Sequence, residues 1–364
     1  MKQISGERQP RIGLSGFISP FLVGSFITFL LLALLPPDTV RHTVYSPPLP
    51  RPPLPTERRQ IAEYRREALA SLQDVMGNLP DSSRRVPLDI RVVRTDTLAK
   101  YTRTVLTFAA ETGDRPRGCL LVPRGLRHRV PAVLCLHEAT PSGMEETAGI
   151  SGSPDMDYAA ELAERGFVTF CLDYPNYGQY RCDPTALGYV STTMKGIWNR
   201  IRAVDLLQSL SYVDPGRIGS IGHSLGGHNA LFHADFDPRI RAVVSSCGFT
   251  GLRYYHDGDL AAWSDKQYMP RIATSYGNDA RRMPFGFADV LALIAPRPVL
   301  VMAAEEDGIF DVAGVRDCVA RASTMYRLLG VEDRLHTVYF GGYHHFPEPV
   351  RRIAYEWLAR RLNS

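Results

Sequence analysis

The stretch "GRIGSIGHSLGGHNALF", Gly216 to Phe232, restricts the fold more than any other part of the chain. An apolar strand ends at Gly222-His223-Ser224-Leu225-Gly226, and a helix-forming run follows at once. A serine flanked by glycines two positions away on either side suits a sharp strand-to-helix turn. Small neighbours let one backbone pass close to another while the hydroxyl stays exposed. The arrangement makes Ser224 a candidate nucleophile rather than a turn residue.

The remaining pattern supplies a sheet for that turn. From Val86 the period is two, and "LDIRVVRTD", "RTVLTFAAE" and "RGCLLVPRG" are predicted as antiparallel strands at one sheet edge. Apolar strands "PAVLCLHE", "FVTFCLDY", "RIGSIG", "RAVVSSCG", "RPVLVMAAEED" and "HTVYF" then alternate with helical segments. This is the pattern of a mostly parallel sheet covered by helices on both faces, with its site in the loops beyond the strand ends. Residues 249–296 interrupt the alternation with Phe249, Tyr254, Tyr255, Trp263, Tyr268, Tyr276, Phe285 and Phe287. Such a cap-like insertion either walls a pocket or forms a satellite hydrophobic cluster.

A serine hydroxyl needs a base to take its proton and a carboxylate to orient that base. After "RPVLVMAA" come Glu305, Glu306, Asp307 and Asp311, of which Asp307 falls where the strand should turn and Glu306 is the second choice. After "HTVYF" come His344 and His345, one of them the expected base. The oxyanion formed on attack requires two amide donors. Leu225 at the helix start is one, and the loop "HEATPSG" offers the other at Glu138 or Ala139. Tyr174, Tyr177 and Trp263 are candidates for the substrate rim. No cysteine or histidine spacing suggests a metal, and no cofactor is implied.

The segments "VLCLHEATPSGMEETAGI", "ELAERGFVTFCLDYPNYG", "DPGRIGSIGHSLGGHNALF" and "GGYHHFPEPVRRIAYEWL" resemble the α/β-hydrolase superfamily, most of all its dienelactone hydrolase-like and acetylxylan esterase-like group. The resemblance covers roughly Thr56 to the C-terminus. It implies the α/β-hydrolase fold, a serine esterase, Asp307 as the acid, and His344 as the base through a His-x-Phe-Pro pattern. True dienelactone hydrolases carry a cysteine nucleophile and a cooperating glutamate at the position of Glu138; the serine here argues against dienelactone cleavage. The expected activity is hydrolysis of a small-molecule carboxylic ester through an acyl-enzyme. The alternatives are a small serine peptidase of prolyl oligopeptidase type, and an inactive membrane-tethered binding protein.

Charge excludes one further class. Residues 1–60 hold seven Lys/Arg against three Asp/Glu, which accounts for the whole net charge of +4 and leaves the remainder neutral, without a footprint for nucleic acid. Ile12 to Leu35 lacks charge, follows Lys2, Arg8 and Arg11, and could span a bilayer core of about 30 Å. The expected organisation is a signal anchor or signal peptide over 1–40, a proline-rich linker over 41–55 and a hydrolase domain over 56–364. The basic flank predicts a body outside the cytoplasm, membrane-anchored or exported; a cytoplasmic location is the alternative.

Overall fold

The computed structural model describes residues 50–363. The N-terminal apolar run and most of the proline-rich stretch lie outside them. Among the described residues, no helix is long and apolar enough to cross a membrane.

The strands are β1 (Arg91–Thr97), β2 (Tyr101–Thr107), β3 (Arg117–Pro123), β4 (Val130–Leu136), β5 (Val168–Leu172), β6 (Val213–His223), β7 (Ile240–Ser246), β8 (Val299–Ala304) and β9 (Leu335–Phe340). The helices are α1 (Ile61–Met76), α2 (Met144–Thr147), α3 (Tyr158–Glu164), α4 (Thr192–Ser209), α5 (Leu225–Phe236), α6 (Arg271–Thr274), α7 (Phe287–Ile294), α8 (Val312–Leu329) and α9 (Glu348–Leu362).

The strands form one sheet in the order β1-β2-β3-β5-β4-β6-β7-β8-β9. The β1-β2-β3-β5 edge is antiparallel, and β5 through β9 are parallel. Alternation along β4 shows how both faces are covered. Ala132, Leu134 and Leu136 join the core made with α1, α4, α5, α7 and α8, while Val133 and Cys135 join the core made with α3 and α9. The predicted mostly parallel sheet with an antiparallel edge is therefore the observed one.

Local details depart from the sequence pattern in small ways. Thr56 precedes a 3₁₀ turn at Arg58–Gln60, and α1 begins at Ile61. The Gln60 side chain accepts hydrogen bonds from the Thr56 and Glu57 amides, so the cap is built from the other end. The end of the proline stretch lies against the body. Pro52 and Pro55 are buried, and Arg51 pairs with Asp289 at 2.7 Å. Cys119 and Cys171 are register partners across β3 and β5, yet both thiols are free, as are Cys135, Cys182, Cys247 and Cys318.

One buried polar knot fixes α4, which borders the site. Lys195 is fully buried, and its ammonium donates to Glu111 at 2.7 Å, Asp114 at 2.6 Å and Asn199 at 2.6 Å. It thereby ties the helix to the turn joining β2 and β3. Lys195→Met should leave Asp114 buried without a cation, while Glu111 keeps Arg84 at 2.8 Å, and lower unfolding stability by about 3 kcal/mol in a denaturant titration.

Candidate active site

Strand β6 lies between β4 and β7 at the middle of the parallel region, and Ser224 follows its last residue. Ser224 has φ 51° and ψ −119°, a left-handed conformation that a residue with a side chain adopts only under constraint. The constraint comes from close packing. An added Cβ at Gly226 would stand 1.8 Å from the Leu136 carbonyl oxygen, and one at Gly222 would stand 2.3 Å from the Gly226 backbone. Both glycines are needed for α5 to leave the sheet this tightly. Gly226→Ala should cost about 3 kcal/mol or more, read as a lowered denaturation midpoint, because the obstacle is backbone that cannot rotate away.

Asp307 follows β8, and His344 lies in the loop between β9 and α9. The structure brings both to Ser224. His344 Nε2 is 2.8 Å from the Ser224 hydroxyl, and His344 Nδ1 is 2.9 Å from Asp307 Oδ2. Burial alone would raise the Asp307 carboxyl. The hydrogen bond from His344 and those from the Phe310 and Ile309 amides outweigh it and hold the group below the ordinary carboxylate range. An ionised Asp307 requires the proton on Nδ1, which leaves Nε2 free to accept from the serine hydroxyl.

The rival residues have other partners. His345 is exposed, and its Nδ1 bonds to the Tyr343 carbonyl. Glu306 braces the histidine loop, its carboxylate accepting from the Gly342 amide at 2.7 Å. Asp311 caps α8 and Glu305 pairs with Arg316.

Leu225 opens α5, so its amide is one of the leading donors for which a helix has no internal acceptor. The loop of Glu138 and Ala139 is fixed by His137. The His137 Nε2 accepts from the Tyr174 amide at 2.8 Å, which puts its proton on Nδ1, and Nδ1 donates to the Glu138 carbonyl at 2.6 Å. Burial lowers the His137 pKa to about 4, keeping the ring neutral. Asp173 ties the same loop to the one after β5, accepting from the Met144 amide at 2.8 Å and the Gln179 amide at 3.1 Å. The Glu138 carboxylate is partly buried and lies 3.7 Å from His223 Nε2. Burial and nearby Glu146 raise its pKa, and His344 opposes them.

Ring side chains then form a belt of contacts that starts at His344, the hydrogen-bond partner of Ser224. From His344 it runs to Phe310 at 5.7 Å, to Trp263 at 6.2 Å, to Tyr268 at 6.1 Å, to Tyr174 at 6.5 Å, to Tyr177 at 5.9 Å and to His137 at 5.8 Å between ring centroids. All three rim candidates, Tyr174, Tyr177 and Trp263, belong to it. Within the insertion, Trp263 and Tyr268 belong to this belt, whereas Phe249, Phe285 and Phe287 pack on Phe232 and one another.

Sequence reasoning passed over His137, Phe310 and Cys247. Cys247 sits at φ 41° just past β7, and its sulfur, an Asp307 oxygen and a His344 nitrogen lie within 4.8 Å of one another. Among the described residues, this is a group that could hold a soft metal ion, although His344 and Asp307 are already committed to each other. Burial and the Asp307 carboxylate push the Cys247 thiol up to about 12, so it is a neutral neighbour. The only sequence signal for it was its place at the end of a central strand.

Comparison with known proteins bears on the fold that carries this geometry. The chain superposes on a glucuronoyl esterase structure from Solibacter usitatus with a TM-score of 0.68, covering 90% of this chain and 99% of that one at 20% identity. The chain has the α/β-hydrolase fold. A family model described as "Glucuronyl esterase, fungi" matches residues 187–330 of this chain, from the approach to α4 through the insertion to the end of α8. The Bacillus subtilis (strain 168) protein YtaP is 24% identical over 311 residues, 82% of this chain and 100% of its own length. The 4-O-methyl-glucuronoyl methylesterase 1 of Wolfiporia cocos (strain MD-104) is 24% identical over 230 residues, 58% of this chain and 54% of its own length. The expected superfamily is borne out, and relatives named as esterases agree with an ester-hydrolysing enzyme.

Proposed function

We propose that this hydrolase cleaves carboxylic esters carried on carbohydrates, through a serine acyl-enzyme. The unbroken hydrogen-bonded chain from the Ser224 hydroxyl through His344 to Asp307 supports this reading most directly. Ser224 attacks the ester carbonyl as His344 takes its proton, and Asp307 holds the imidazole and the positive charge it acquires. The amides of Leu225 and of the Glu138–Ala139 loop receive the oxyanion. His344 returns the proton to the departing alcohol, then activates a water that releases the acid.

The aromatic belt supports a carbohydrate, because ring faces pack on the C–H faces of sugars while the Tyr hydroxyls provide polar edges. The named relatives, glucuronoyl esterases among them, point the same way. The purified protein should turn over methyl glucuronate esters or acetylated xylo-oligosaccharides with kcat/KM at least tenfold above simple nitrophenyl acetate. Equal or greater efficiency on the simple ester would remove the sugar from the proposal.

The basic flank and uncharged run before residue 36 support export, with the catalytic body outside the cytoplasm. Fractionation of expressing cells should recover the protein in membrane or extracytoplasmic material, and recovery in the cytosol alone would contradict that part.

A further inference from the structure

Among the described charged side chains near the site, Arg200 stands apart. It is 3% exposed, carries no ion pair or hydrogen bond among the described residues, and its Nη1 is buried without a polar partner. A buried cation in that condition is costly, since protein has replaced its hydration with nothing of opposite charge. Burial pulls its pKa down only to about 10, so the guanidinium is charged at neutral pH.

Its surroundings keep it there. Arg200 stacks on the Tyr174 ring at 5.5 Å, and Tyr174 is a member of the belt of rings that starts at His344. A mid-helix glycine usually costs about 1 kcal/mol, yet Gly196 occupies the turn of α4 before Arg200. A Cβ there would lie 3.1 Å from Arg200 Nη1 and 3.1 Å from the Tyr174 ring, so the missing side chain is the notch that admits both. His228, which packs on Trp263 at 4.8 Å and Tyr268 at 6.2 Å, also has a polar atom without a partner. Its Nδ1 donates to the Gly248 carbonyl at 3.0 Å, which leaves Nε2 as an unused buried acceptor. The Arg200 charge reaches His228 and His137, and the His228 amide donates to the Ser224 carbonyl at 3.3 Å.

We propose that Arg200, behind Tyr174, is the anchor for a carboxylate on the substrate, with His228 accepting a hydroxyl of the same molecule. The ligand class is therefore a hydroxylated carboxylic acid, such as a sugar acid, bound next to the ester that Ser224 attacks. Glu138 does not neutralise this anchor, because its carboxylate faces His223 at 3.7 Å. The inference rests on the ester-hydrolase reading and adds a charge preference to it.

The test compares two methyl esters of equal chain length, monomethyl glutarate and methyl pentanoate, by titrating the acid released. A charge-assisted contact of about 1.5–3 kcal/mol predicts kcat/KM roughly 10- to 100-fold higher for the glutarate ester. Arg200→Met should bring the ratio down at least tenfold, and Arg200→Lys should retain most of it. Should Arg200→Met fail to fold, Gly196→Ala, a better helix former, reads the same ratio by displacing the guanidinium. No preference in the parent enzyme, or a variant that slows both esters equally, overturns the anchor. Failure of the parent enzyme to cleave any ester would instead overturn the reading on which it rests.

Discussion

Ser224→Ala is expected to lower kcat for ester hydrolysis by about 10⁴-fold or more, with the thermal midpoint little changed. Removing the nucleophile of such a relay leaves only the catalysis that binding and oxyanion donors provide, on the order of 10³–10⁴ over water. The stability expectation follows from the local backbone. Ser224 holds φ 51° because Gly222, Gly226 and the Leu136 carbonyl enclose the turn, and alanine meets the same strain as serine. The Ser224 amide still donates to the Ser246 carbonyl, a bond the substitution leaves intact. Kinetics on a methyl ester with calorimetry alongside checks both halves. A variant with parental turnover would mean that the hydroxyl is not the nucleophile.

Asp307→Asn is expected to cost about 10³–10⁴-fold in kcat while changing KM little. The carboxylate accepts from His344 Nδ1 at 2.9 Å and, through its other oxygen, from the Ile309 amide at 2.8 Å and the Phe310 amide at 3.0 Å. An amide oxygen can keep the two backbone bonds, which presents the amide nitrogen to His344 and forces the proton onto Nε2. The imidazole then donates towards Ser224 instead of accepting from it. The carboxylate's depressed pKa adds a pH signature. Stability gained from ionised Asp307 is complete above its unfolded pKa of about 4 and disappears as pH falls through the lower folded value. Asp307→Asn should therefore narrow the stability difference from the parent as the buffer is taken from pH 5 to pH 2, measured by thermal melts.

Much of this was legible in the chain because the physical signals were local. The elbow at Ser224 announces itself by its two glycines, and the strands by apolar runs of strand length. The sites that escaped are those created by packing between distant segments. His137 reads as one more histidine after a strand, and its role appears only when the Tyr174 amide meets its ring. Phe310 joins the site because Asp307 turns the chain beside it. Arg200 looks like any arginine on an amphipathic helix, and nothing in its neighbours along the chain shows that no carboxylate awaits it. Glu306, weighed against Asp307 by position alone, is separated from it by what each carboxylate accepts, the Gly342 amide in one case and His344 in the other.

The most direct test of the relay is covalent. A fluorophosphonate reacts with a serine only where an imidazole removes its proton and amide donors receive the developing charge. Peptide mapping of the treated protein should place one adduct on Ser224, formed quickly in the parent and at least 10³-fold more slowly in His344→Ala. An unmodified Ser224, or labelling that proceeds at the parental rate without His344, would contradict the account.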